Sequence, residues 1–307
     1  MAKDLCTVPR IERLNPLDLL RDRVFPNNDK MIFATEHIME INVINRFMET
    51  CIDGILPSRS IANTKPINQF ALQNAWNREA DPGQLPTIGD NPRKSPLTLN
   101  DRIYGVLGSN NFPTPFAFLQ GALNRKKQSL FEGKMMLGED RIADIVKHIE
   151  REELWRPKNS DQTPVPSDEA LLEQFRQVSR AHTSLKNRLA RSLTPLGEKI
   201  VGTFAYMNED YVAATLRMVS DYILRETGFA ETVYGVAGMQ SMWREFEADL
   251  FPFVARTAQA NFARAMEYAF NRLAKSSAPK EIIKRLMEEL NVLELQKGKL
   301  TLDLLKN

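Results

Sequence analysis

Residues 229–270 read FAETVYGVAGMQSMWREFEADLFPFVARTAQANFARAMEYAF. Val233, Tyr234, Val236, Met239, Met242, Trp243, Phe246, Leu250, Phe251, Phe253, Val254, Phe262 and Met266 make this stretch apolar on more sides than a surface helix needs. A helix apolar most of the way round is buried in a large core or lies against a partner. The second half resolves into an ordered pattern. Phe251, Ala255, Ala258, Phe262, Ala269 and Leu273 alternate large with small, while Arg256, Arg264, Glu267 and Arg272 form a narrow charged strip. Small residues permit close helix approach and large ones fill the gaps, so this half reads as the packed helix of a bundle. The excess lies upstream. Val233, Tyr234, Val236, Met239, Met242, Trp243 and Phe246 offer more soft apolar surface than one stripe hides, leaving two readings open: core, or a protein-binding site.

Working outward, the start and stop signals are mostly helical. Asn15-Pro16-Leu17-Asp18 supplies a cap, a first-turn proline and an early acid. Phe33, His37, Ile41, Ile44, Met48 and Cys51 recur at helical spacing, which predicts a helix from about Lys30 to Ile52, ended by Gly54 and Pro57. Helices are also expected over Leu99–Leu107, from Thr114-Pro115 through Phe116, Leu119, Leu123 and Leu130, and over Glu139–Trp155. Later starts fall at Ser167-Asp168-Glu169, Thr194-Pro195, Asn208-Glu209-Asp210 (ending at Gly228) and Ala278-Pro279. Pro252 either kinks the 229–274 helix or begins a new one.

Two stretches break the helical pattern. Prolines 57, 66, 82, 86, 92 and 96 crowd residues 57–98, where one short helix using Phe70, Leu72 and Trp76 is expected and the rest reads as an irregular, proline-rich exposed arm. At the other end, Val292–Gln296 and Lys299–Leu304 alternate around Lys297-Gly298, which predicts a β-hairpin over 292–304. Residues 157–167 (PKNSDQTPVPS) are polar and proline-bearing, a linker composition. The expected architecture is therefore mainly α: an N-terminal helical unit over 1–156, the linker, and a C-terminal helical bundle over 168–307 ending in the hairpin.

Composition narrows the function classes. At 43% hydrophobic and 26% charged, the chain of 307 residues has the makings of a core, and a net charge of +2 is too small to imply a polyanionic partner for the whole chain. Cys6 and Cys51 form no disulfide framework or paired-cysteine metal signature. There is no apolar run suited to a signal peptide or a membrane-spanning helix, so no membrane insertion and a cytoplasmic location are expected.

Chemistry-bearing motifs are sparse. His37, His148 and His182 lack the i+3 or i+4 partners of a zinc helix, and neither a phosphate-cradling glycine loop nor a nucleophile elbow occurs. No catalytic residue, metal site or cofactor is expected. A dispersed enzyme site would have to gather carboxylates such as Glu36, Glu40 or Asp144 around a histidine. On the 168–193 helix, Leu171, Phe175, Val178, His182, Leu185, Leu189 and Leu193 share one face, and Arg176, Arg180, Arg188 and Arg191 fall on another. That basic face is either a solvated surface or an anion and nucleic-acid contact.

The leading expectation is a non-catalytic adaptor, scaffold or structural subunit of a larger assembly, such as a secretion-machinery adaptor or a phage particle component. It would act through helical interfaces with protein partners, in hetero- or homo-oligomers. The alternative is a nucleic-acid-associated protein, and the third reading is an enzyme. The alternative makes a definite prediction: binding falls steeply with added salt and weakens when Arg176, Arg180, Arg188 and Arg191 become glutamine, as read by fluorescence anisotropy.

Overall fold

The computed structural model describes residues 33–89, 91, 93, 95–135, 138–154, 194–278 and 280–302. The expected first helix at 15–20, the linker at 157–167 and the helix at 168–193 with its four arginines lie outside the described residues. Among those described, the fold is mainly α, with nine α-helices and one two-stranded antiparallel sheet. In chain order these are β1 (Phe33–His37), α1 (Ile41–Asp53), α2 (Gln69–Trp76), α3 (Leu99–Gly105), β2 (Phe116–Gln120), α4 (Gly121–Phe131), α5 (Glu139–Leu154), α6 (Thr194–Met207), α7 (Asp210–Thr232), α8 (Met239–Ala274) and α9 (Lys280–Glu294).

These elements fall into two compact units, each discontinuous in sequence. The first unit takes the described residues within 1–134, 202–258 and 301–307; the second takes those within 135–201 and 259–300. In the second unit Ile142, Ile145 and Val146 of α5, Phe262, Met266, Ala269 and Leu273 of α8, and Leu286, Leu290 and Leu293 of α9 are buried. Ala258, Phe262, Ala269 and Leu273 follow the expected large/small stripe, and Arg256, Arg264 and Glu267 of the charged strip are exposed. Helix α8 runs unbroken through Pro252. The proline leaves the carbonyl four residues back without its helical donor, and both Pro252 and Ala248 are exposed, so water can take that bond.

The first unit departs from the helical expectation where two segments meet. Phe33–His37 is strand β1 rather than the first turns of a helix, and Phe116–Gln120 is β2 rather than the start of α4. The two pair antiparallel, Phe33 opposite Gln120 and His37 opposite Phe116. Spacings of three and four suited a helix in both segments, but a ladder between residues some eighty positions apart satisfies their backbone groups instead. Helix α1 then begins after the extended Glu40 and ends on Gly54, whose left-handed φ of 72° lets its N–H reach the Thr50 carbonyl at 2.8 Å.

Two further expectations are corrected. Gly228 does not end α7, which continues to Thr232. A Cβ there would stand 2.8 Å from Gln240 Nε2, which donates to the Leu224 carbonyl at 3.1 Å, so the glycine makes room for a neighbouring side chain. The C-terminal β-hairpin is also absent from the described part of 292–304. Val292–Glu294 belongs to α9, and Leu295–Lys299, including Lys297-Gly298, forms a 3-10 turn. Leu286, Leu290 and Leu293 continue one helical face into the core, so Leu293 is buried while its alternating partner Leu295 is 82% exposed. Burial along one helical stripe outweighs alternation in so short a segment.

The first unit is pinned by a charge pair. Arg102 on α3 and Glu226 on α7 are both fully buried, joined Nε to Oε2 at 2.5 Å and Nη2 to Oε1 at 3.0 Å. The guanidinium also donates to the carbonyls of Pro96 at 3.1 Å and Pro86 at 3.0 Å, and lies 5.9 Å from the Phe229 ring centre. Nearby, Arg78 donates to the Val233 carbonyl at 3.0 Å and Tyr234 donates to that of Leu97. Removing one member of a buried pair leaves the other charge unpaired in a dry site. Arg102→Ala should therefore cost about 3–5 kcal/mol in urea unfolding, whereas Arg102→Met combined with Glu226→Met should recover much of that loss.

Candidate functional site

The sequence singled out the 233–246 side chains as either core or partner-binding. Tyr234, Val236, Met239, Met242, Trp243 and Phe246 are all buried, and Val233 is partly so. Trp243 meets Phe47 of α1 edge-on at 4.9 Å and Phe246 at 5.6 Å, and its indole N–H lies 3.2 Å from Ser220 Oγ. The apolar excess is thus taken up by α1 and α7 within the first unit. In this conformation no partner can reach most of it.

What α8 does offer outward is a carboxylate clamp. Glu245 and Asp249 stand one helical turn apart and hold the loop that joins α1 to α2. Glu245 accepts hydrogen bonds from the Asn63 N–H at 2.6 Å, the Thr64 N–H at 2.8 Å and the Thr64 hydroxyl at 2.6 Å. Asp249 accepts from the Ser58 N–H at 2.7 Å. The Thr64 hydroxyl, with the Asn63 and Thr64 backbone amides, holds the Glu245 carboxyl below the usual carboxylate range despite partial burial. At its root the loop is tied to α1 by the Thr50 hydroxyl on the Ile55 carbonyl and by the Ile55 N–H on Asp53, at 2.8 and 2.7 Å.

The clamped loop is a miniature hairpin. The Leu56 N–H donates to Ser60 O and the Ala62 N–H to Gly54 O, so Ile55 and Ile61 face each other as a non-hydrogen-bonded pair. Such a pair puts both side chains on one face, and here they are 38% and 83% exposed. Arg59 turns the corner with a φ of 73°, a left-handed conformation that costs a residue with a Cβ about 1 kcal/mol or more. Arg46, Glu49, Asp53 and Arg59 line a cleft of about 100 Å³ beside it. In the sequence, Gly54 and Pro57 signal only the end of a helix, so these residues do not stand out there. The signal was two isoleucines bracketing a Pro-Ser-Arg-Ser turn.

A second cluster forms where β1, α1, α4 and α6 meet. Lys127 is fully buried and its ammonium donates to the carbonyls of His37 and of Ile38, the latter at 3.1 Å. It is ion-paired with Glu36, and Glu40 Oε1 lies 3.4 Å away. Two of the three carboxylates named for a dispersed enzyme site therefore do converge, but on a lysine. His37 turns Nδ1 to the Leu107 carbonyl at 3.1 Å and its ring to Phe116 at 4.6 Å. Asp144 lies on α5, among the residues of the second unit. Burial, opposed by Lys127 and reinforced by the neighbouring Glu36, raises the Glu40 carboxyl to about 7. The Tyr206 hydroxyl, pushed well above the ordinary phenol range mainly by burial, has no hydrogen-bond partner among the described residues.

An open cavity of about 520 Å³ lies beside α3, lined by Ile88, Asn91, Pro96, Asp101, Gly105 and Ser109–Asn111. Its amide groups are partly committed, since Asn111 donates to the Ile88 carbonyl at 2.7 Å and accepts from the Asn91 N–H at 3.1 Å. Gly89 is required there: its φ is +81° and an added Cβ would lie 2.0 Å from the Asn111 carbonyl oxygen. No group of three or more metal-ligating side chains occurs among the described residues, nor any helix long and apolar enough to cross a membrane. Arg176, Arg180, Arg188 and Arg191 lie outside the described residues.

No protein-family model, curated protein or solved structure matches the chain. The clamp makes its own prediction. A carboxyl held low in the folded state contributes stability that is full above its unfolded value and is lost as pH falls through the folded one. Limited proteolysis within residues 54–64 should therefore accelerate in acid, and Glu245→Ala should accelerate it at neutral pH.

Proposed function

We propose that this chain is a non-catalytic adaptor, scaffold or structural subunit of a larger protein assembly, and that it engages a protein partner through the Ile55–Ile61 hairpin. The observation that carries this reading is the combination of rigidity and apolar exposure in one short loop. Carboxylates on α8 and hydrogen bonds from the end of α1 fix its backbone, yet Ile55 and Ile61 project into solvent. Exposed isoleucines scattered singly need no explanation, but an opposed pair on a clamped loop is preorganised to bury apolar area without an ordering cost.

Arg59 adds a charge at the tip, held in a backbone conformation that a glycine would adopt more easily. Strain of this kind is typical of recognition sites. A matching partner segment carries a carboxylate within reach of the Arg59 guanidinium and an apolar side chain against the isoleucines. On this reading the 233–246 residues act indirectly. Their packing on α1 and α7 keeps α8, and with it the clamp, in place.

The discriminating measurement is a paired one. Wild-type chain and an Ile61→Asp variant are each used to recover partners from the native cell extract, with unfolding transitions recorded in parallel. A protein retained by wild type and lost by at least tenfold in the variant, with the unfolding midpoint unchanged, supports the reading. A chain that stays monomeric, with no partner sensitive to Ile55 or Ile61, removes it.

A further inference from the structure

We propose that Glu36, Lys127 and Glu40 form a proton-operated latch: with a proton on Glu40 the β1–α1 corner is closed, and its loss loosens the β1–β2 ribbon. A lysine ammonium has three N–H bonds. Two of those of Lys127 go to the His37 and Ile38 carbonyls, and the ammonium is ion-paired with Glu36. Neither Glu36 Oε1 nor Glu40 Oε1 accepts a hydrogen bond, and Glu40, at 3.4 Å, is the farther of two carboxylates beside one cation. Both acids are largely removed from water, with side-chain exposures of 7% for Glu36 and 13% for Glu40.

Charge balance then selects a protonation state. With Glu40 neutral, one ammonium faces one carboxylate and the cluster is balanced. With Glu40 ionised, a buried site carries an uncompensated negative charge, which is costly in a poorly solvated environment. Among the described residues, Lys127 is the one cation acting on Glu40. Tyr206 of α6 brings an unpartnered hydroxyl, Tyr211 of α7 sends its hydroxyl to the Thr114 carbonyl at 3.3 Å, and His37 is engaged with Leu107. The N-terminus of α1 favours a charged Glu40, but its side chain makes no capping bond. Burial and the Glu36 charge win, placing the Glu40 proton near neutrality.

The mechanical consequence follows from what Lys127 holds. Its two carbonyl partners are the last residue of β1 and the residue after it. When Glu40 ionises, it competes for the ammonium that secures that corner. A two-stranded ribbon is marginal by itself, so β1 and β2 depend on such ties and on α4 packed against them. An acid whose folded-state value is raised weakens the fold as pH climbs from the unfolded value through the folded one. The latch is therefore tightest near the unfolded carboxyl value and fully loosened once pH passes neutrality.

The test is hydrogen exchange of the 33–37 and 116–120 amides in the full chain, corrected for the intrinsic pH dependence of exchange. In wild type the opening equilibrium of the ribbon should rise from about pH 4.5 to about pH 7, by up to about tenfold per pH unit, and level off above that. Glu40→Gln, a neutral isostere, should stay protected and flat across that range. Because histidine also titrates near neutrality, His37→Gln is the control and should keep the wild-type response. A response that survives Glu40→Gln, or one abolished by His37→Gln, overturns the proposal. A wild-type carboxyl NMR titration decides the matter independently of any variant: a Glu40 midpoint near the ordinary value of about 4.3 overturns it, and one near neutrality supports it.

Discussion

The first unit depends on a guanidinium that joins α3 to α7 and to the proline-rich chain before α3. Arg102 spends its donors on Glu226 of α7 and on the carbonyls of Pro86 and Pro96. A buried arginine is tolerable only when its charge is matched and its planar fork is filled, and here both conditions are met by groups far apart in sequence. Through this centre α3 is fixed to α7, and the proline-rich chain before α3 is held at two of its carbonyls. Tyr234 and Arg78 fasten the α7–α8 connection to the same region. Apolar burial supplies most of the drive to fold, and a slip of either helix would leave a buried charge unpaired at considerable cost.

A separate aromatic layer ties α8 to α1. Phe47, Trp243 and Phe246 pack with ring centres 4.9 to 5.6 Å apart, tying α1 to the first turns of α8. Glu245 sits between two of these core residues and points the other way, toward the loop at 54–64. Structure and surface are therefore coupled along one helix. The residues that bury themselves determine where the clamp stands, and the clamp determines how Ile55, Arg59 and Ile61 are presented.

Much of the helical content was legible because periodicity is a local signal. Thr194-Pro195 does open α6, and Phe70, Leu72 and Trp76 do lie in one short helix, started by an Asn68 side chain that accepts from the Phe70 and Ala71 amides. The failures share a cause. Phe33–His37 and Phe116–Gln120 carry spacings compatible with helix, and only their pairing with each other makes them strands. Gly228 resembles a terminator until Gln240 is seen to occupy the space of its missing Cβ. The candidate sites were partly legible for a different reason. Lys127 falls between Leu123 and Leu130, Arg102 between Leu99 and Ile103, and Glu226 between Ile223 and Ala230, all on faces otherwise apolar. A charge on an apolar stripe announces a buried partner without naming it.

By itself the sequence determined the mainly helical class and the packed stripe from Ala258 to Leu273, since backbone period and side-chain burial are properties of neighbouring residues. It also narrowed the fate of residues 233–246 to core or interface. Tertiary structure alone buries Met239, Met242 and Trp243, the last against Phe47 and Ser220. It likewise paired Arg102 with Glu226, set two carboxylates against Lys127, and turned Ile55 and Ile61 outward. Each of those outcomes is a relation between segments distant along the chain. Nothing in a local pattern specifies which distant charge or ring will arrive, so the chemistry of this protein becomes readable only once the chain has closed on itself.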